Sequence, residues 1–196
     1  MNIELLAKFI LEVNNSLSKD NCFTSIAIRG GFEEYYRDKL YESMFKNEYQ
    51  YVVREYERVD LVGISADKKV TFLLELKHNG CWQGKQYDSL PHRMCQDSVK
   101  LLKHKLYNKS IPLFQIGILT EINSYNLKLK HLANKYIKID EDYLAQGYCE
   151  SLQSNKKVFR ILKNEFGKDN IKSLTFETPL WNSFQAKVHI FLCQLQ

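Results

Sequence analysis

Apolar residues recur at helical spacing near the start of the chain, where Ile3, Leu6, Phe9, Ile10, Val13 and Leu17 fall on one side of residues 3–18. This spacing predicts an amphipathic helix lying over a core. Asp20 to Arg29 reads as an irregular link or short strand, and Gly30-Gly31 as a break before a second helix, Phe32 to Phe45. That helix puts Phe32, Tyr36, Leu40 and Met44 along one side. From Glu48 the period becomes two: EYQYVVREY predicts a strand running straight into a hairpin, VDLVGI and VTFLLELK, around the polar turn Ser65 to Lys69. In the second hairpin strand Val70, Phe72, Leu74 and Leu76 point to one face, and Thr71, Leu73, Glu75 and Lys77 to the other.

Beyond Lys77 the segment HNGCWQGKQYDSLPHRM has two glycines, a proline and many donors, and reads as a long loop. Leu90-Pro91 opens a helix through about Leu106, with Met94, Cys95, Ser98, Leu101, Leu102 and Leu106 on its buried side. Ile111 to Ile122 (IPLFQIGILTEI) is an apolar run of strand length. Strand, helix, strand at this spacing implies a crossover to a parallel neighbour. Tyr125 to Ile139 reads as a basic helix, and Tyr143 to Phe166 as one longer helix or two, broken near Gly147 and ended by Gly167. Alternation returns in Ser183 to Leu195, with Ala186, Val188, Ile190 and Leu192 on one face of a terminal strand. The expected class is α/β: a central mixed sheet, an antiparallel meander plus a parallel crossover strand, flanked by helices.

Length and composition add limits. The 196 residues fit a single domain, with a core over about 30–122 and helical and strand elaboration over 123–196. The hydrophobic share of 44% and charged share of 26% exclude disorder. Glu4, Lys8 and Glu12 interrupt the apolar N-terminus, which fits neither a signal peptide nor a membrane span. Five scattered cysteines without a CxxC pair suit reduced thiols in the cytoplasm. The formal charge of +5 is compatible with a polyanion, as are the clusters Lys100, Lys103, Lys105, Lys109 and Lys128, Lys130, Lys135, Lys138. No GxSxG, phosphate-binding glycine loop or nucleophile triad is present.

The hairpin carries the chemistry. Asp60 opens its first strand, and fourteen residues separate it from Glu75. With the turn centred on Ala66 to Lys68, pairing brings Asp60 beside the segment Glu75 to Lys77. Two carboxylates with few other ligands suit Mg²⁺, which takes oxygen ligands and keeps several waters. Such an ion polarises a phosphoryl oxygen and activates water. A lysine two residues on could hold or deprotonate that water and stabilise developing negative charge.

Asp60, fourteen residues, then Glu75-Leu76-Lys77 resembles the active-site signature of the PD-(D/E)XK nucleases, the restriction-endonuclease-like superfamily. The resemblance covers roughly Phe32 to Ile122, and Val59 stands where the superfamily's name has a proline. It implies a restriction-endonuclease-like core and a Mg²⁺-dependent nuclease, Mn²⁺ substituting, that hydrolyses phosphodiester bonds in DNA for restriction, repair or defence. It also implies metal ligands Asp60 and Glu75, catalytic Lys77, and a further acid from the preceding helix, Glu33 or Glu34. Gln83 and Tyr87 resemble the QxxxY element of one branch. A homodimer would let two sites cut two strands. The alternatives are a nuclease-like protein that binds nucleic acid or regulates without catalysis, and an α/β interaction module.

Overall fold

The computed structural model describes residues 1–29, 32–47, 51–79, 89–122, 155–180 and 185–195. Helix α1 (Ile3–Leu17) begins where the Asn2 side chain accepts the Leu5 N–H at 2.9 Å, and it buries Leu6, Phe9, Ile10, Val13 and Leu17. The next stretch is helical, not the irregular link or strand expected: α2 spans Phe23–Arg29. Asp20 starts it, accepting the Cys22 N–H on its carboxylate and the Phe23 N–H on its carbonyl. Phe23 then packs its ring 5.0 Å from Phe32 and 5.9 Å from Phe176, contacts that local propensity could not announce. Helix α3 (Phe32–Lys46) buries Phe32, Tyr36, Leu40 and Met44, as its spacing requires.

Among the described residues six strands form one sheet, in the order β1-β2-β3-β4-β6-β5. Strands β1 (Val52–Tyr56), β2 (Val59–Ile64) and β3 (Val70–Asn79) are the antiparallel meander. Helix α4 (Ser89–Leu102) crosses over to β4 (Leu113–Ile122), which runs parallel to β3. The terminal strand β6 (Ala186–Leu195) lies antiparallel to β4 through ten residue pairs. It is not the sheet's edge, because β5 (Ile171–Glu177), unanticipated in the sequence, covers its outer side.

Helices α1, α2 and α3 cover one face of the sheet over Leu61, Phe72, Leu74, Leu76, Phe114 and Ile116. Helix α4 and a helical segment at 155–166 cover the other, against Leu73, Leu113, Leu119, Phe191 and Leu195. Strand β4, buried from Leu113 to Glu121, is a central strand with both faces covered, hence its mostly apolar sequence.

Three expectations need correction. Val70 does not share the face of Phe72: the register slips between Gly63 and Ile64, and Val70 packs with Leu73 on the α4 side. Helix α4 ends at Leu102, four residues early, where the 103–110 stretch folds back in successive turns. Its buried side is Leu90, Met94, Asp97, Ser98 and Leu101, leaving Leu102 45% exposed and Cys95 partly so. The helix predicted over Tyr125 to Ile139 lies outside the described residues, as does the first part of Tyr143 to Phe166. None of the described helices is long and apolar enough to cross a membrane.

Two glycines allow close approach. A Cβ on Gly63 would sit 2.3 Å from the ring of Phe72 and 2.5 Å from Thr71 Oγ1, while one on Gly117 would sit 2.4 Å from Met94 Sδ. The fully buried Phe72 ring has nowhere to go, whereas a thioether end can swing aside. Gly63→Ala is therefore expected to cost about 1–3 kcal/mol by overpacking, and Gly117→Ala clearly less. Urea melts of the two variants check this, and an equal or inverted order contradicts it.

Candidate active site

Strand β2 stops short of β3. Its register, Val62 opposite Leu73 and Leu61 opposite Leu74, brings Asp60 opposite Glu75, and β3 then continues alone on that side to Asn79. The odd-numbered N–H groups of this part of β3 face β4, beginning with Leu73 to Pro112 O. The even-numbered ones face the gap that β2 leaves. A buried N–H needs an acceptor, and here two side chains supply it. Asp60 Oδ2 accepts the Leu76 N–H at 2.7 Å, and Glu33 Oε2 accepts the His78 N–H at 2.8 Å. The strand edge that lost its partner is thus capped by two carboxylates, one from β2 and one from the first turn of α3.

These caps assemble the charged groups. Asp60 and Glu75 lie within hydrogen-bonding reach of each other, and burial, with the nearby Asp60 charge second, holds the Glu75 carboxyl well above its ordinary range. Glu33 is also raised, first by burial and then by Asp60, against the opposing effect of the His78 N–H, Lys77 and Arg93. Lys77 Nζ lies 3.2 Å from Asp97 Oδ2. Burial alone would lower that ammonium, but Glu33, Asp97 and Glu75 outweigh it and the net direction is upward. Arg37 of α3 reaches in from the other side, with Nη1 3.5 Å from Asp60 Oδ1 and 2.7 Å from Glu55 Oε1.

Asp60, Glu75, Lys77 and Glu33 therefore meet at one end of the β2–β3 hairpin, whereas Glu34 is exposed on α3. Gln83 and Tyr87 lie outside the described residues. Sequence reasoning missed Asp97, Arg93 and Arg37, all brought in from helices. Asp97 had a faint signal: at positions 90, 94, 97, 98 and 101 it falls on the helix's apolar stripe, an odd place for an acid. It is only 6% exposed, and binds Lys100 Nζ at 2.7 Å besides Lys77. Gly117, the β4 neighbour of Lys77, admits Met94 closely enough for α4 to deliver it.

His78 is on the opposite face, stacked on Phe32 with centroids 4.7 Å apart and its Nε2 2.9 Å from Thr120 Oγ1. Burial, helped by Arg93, pushes its pKa down to about 4, so it stays neutral and structural. Of the lysine clusters, Lys100 and Lys105 are engaged by Asp97 and Glu57, and Lys128 to Lys138 fall outside the described residues.

Among the described residues no group of three or more His, Cys, Asp and Glu is gathered to hold a metal. The donor set that does exist is the Asp60–Glu75 pair, and its chemistry fits a hard divalent cation. Two acids close enough to share a proton repel when both ionise, and a cation between them relieves this as well as a proton does. No known protein family, curated protein or solved structure matches this chain.

Because the Glu75 value is raised on folding, its stabilising contribution is fully present below about pH 4.5 and is lost as pH rises through the raised value. Metal-free protein should thus lose melting temperature between pH 5 and pH 8, and Glu75→Gln should lose less, by a few degrees at about 2–4 °C per kcal/mol. Parallel melting curves for the two proteins would contradict this placement of Glu75.

Proposed function

We propose that this chain is a divalent-metal-dependent nuclease of the PD-(D/E)XK type that hydrolyses phosphodiester bonds in DNA. The observation that carries the reading is the meeting of Asp60, Glu75 and Lys77 at the hairpin end, with Glu33 accepting the His78 N–H of the same strand. Asp60 and Glu75 would hold Mg²⁺, or Mn²⁺ in its place, which polarises a phosphoryl oxygen and makes water a competent nucleophile near neutral pH.

The chain's own residues do the rest. Lys77, an ammonium paired with Asp97, donates hydrogen bonds, so it orients the attacking water and stabilises charge building on the phosphate instead of taking the water's proton. Asp97 limits the rotamers open to that long side chain and so is a positioning residue. Glu33, beside both Lys77 and Asp60, would add a third carboxylate's charge near the ion. Arg37 holds Asp60 from behind, as outer partners of ligands commonly do.

A second reading keeps the scaffold without catalysis, as a nucleic-acid-binding or regulatory protein. It is favoured by the use of Asp60 Oδ2 and Glu33 Oε2 as main-chain caps, a structural duty both would retain in an inactive protein.

Plasmid and branched DNA incubated with Mg²⁺ or Mn²⁺ separates the two. Cleavage should require the ion, and Asp60→Asn, Glu75→Gln and Lys77→Ala should each lower the rate roughly 100-fold or more. Salt-sensitive binding without cutting would support the second reading. Cleavage that survives Asp60→Asn and Lys77→Ala would assign the chemistry elsewhere.

A further inference from the structure

Helix α4 lays two charged side chains, four residues apart and so on one face, along the end of β3. Asp97 meets Lys77, and Arg93 lies one turn nearer the helix start, against the last residues of the strand. Its Nη1 is 3.3 Å from Asn79 Oδ1 and 3.5 Å from the His78 carbonyl oxygen, both long for charge-assisted bonds. No carboxylate stands within ion-pair distance of Arg93 among the described residues, although Arg37 and Arg54 have Glu55 and Asp38. Glu33 is near enough to feel its charge but does not pair with it. A half-buried guanidinium held by two weak neutral contacts keeps most of its five donors for something else.

From this position we propose that Arg93 binds a substrate phosphate, its planar fork gripping the non-bridging oxygens of a backbone phosphodiester at the β3 end of the site. This rests on the nuclease reading and adds a substrate ligand that the hairpin signature does not contain. The chemistry favours a phosphodiester over a carboxylate. On the nuclease reading the neighbouring site would take phosphate oxygens at the ion held by Asp60 and Glu75 and at Lys77, and arginine matches a two-oxygen anion bidentately where lysine cannot. Since Arg93 reaches the ligand from α4, apart from the Asp60–Glu75 pair, it contributes affinity without any metal.

The test is fluorescence anisotropy of a short labelled DNA duplex in EDTA, titrated with full-length wild type, Arg93→Ala and Arg93→Lys at several salt concentrations. Arg93→Ala should weaken binding roughly ten-fold and reduce the slope of log K against log salt by about one, the loss of one phosphate contact. Arg93→Lys should keep the slope and lose part of the affinity. Folding is checked by circular dichroism. If the alanine variant does not fold, Arg93→Gln, which can still donate to Asn79 and the His78 carbonyl, takes its place with the same expectation. Wild-type affinity and slope in a folded Arg93 variant, alongside a wild type that binds and cuts DNA, overturn this inference and leave the nuclease reading standing. A wild type that neither binds nor cuts DNA overturns both.

Discussion

Everything at the candidate site follows from a strand that outlasts its partner. Strand β3 runs to Asn79 while β2 begins at Val59, so the N–H groups of Leu76 and His78 face a gap. An unmet buried donor costs about 1–3 kcal/mol, and carboxylates are strong acceptors for it. Asp60 and Glu33 fill the gap, and in doing so they place negative charge beside Glu75. The same two bonds complete the sheet edge and concentrate acids at one point of it.

Concentrated acids then need an answer. Part of it is a proton on Glu75, whose carboxyl burial and Asp60 hold well above its ordinary range, and part is the cation of Lys77, paired with Asp97 from the other layer. The half-buried like charges of this cluster oppose folding and offset part of what the two capping bonds contribute. Tension of this kind is common where side chains are arranged for chemistry, and less so where they only pack. The path from fold to the proposed function therefore runs through strand length, to unpaired donors, to clustered carboxylates, and on that proposal to affinity for a divalent ion and a phosphate.

How far the chain could be read in advance depended on the range of the interaction concerned. The hairpin, the Asp60–Glu75 pairing and the α3 face were legible, because periods of two and 3.6 residues fix which side chains share a face. The parallel β4 followed from the spacing of strand, helix and strand. Val70 was misplaced because a register slip at Gly63 reverses the alternation, and nothing local marks it. Strand β5 escaped notice because IKSLTFE puts serine and threonine on an exposed face, and only pairing with β6 makes it a strand. Asp97 and Arg93 were out of reach for another reason. Their roles come from how α4 sits on β3 and β4, which Gly117 and Met94 decide across more than twenty residues of sequence.

The claim on which the account turns is that Asp60 and Glu75 form a pair completed by a divalent cation. Anomalous diffraction from a crystal soaked in Mn²⁺ addresses it directly. The account predicts a single strong peak bridging the two carboxylates, about 2 Å from an oxygen of each, with Lys77 still beside Asp97. Carboxylates that remain bonded to each other, with the manganese bound elsewhere or not at all, would contradict it.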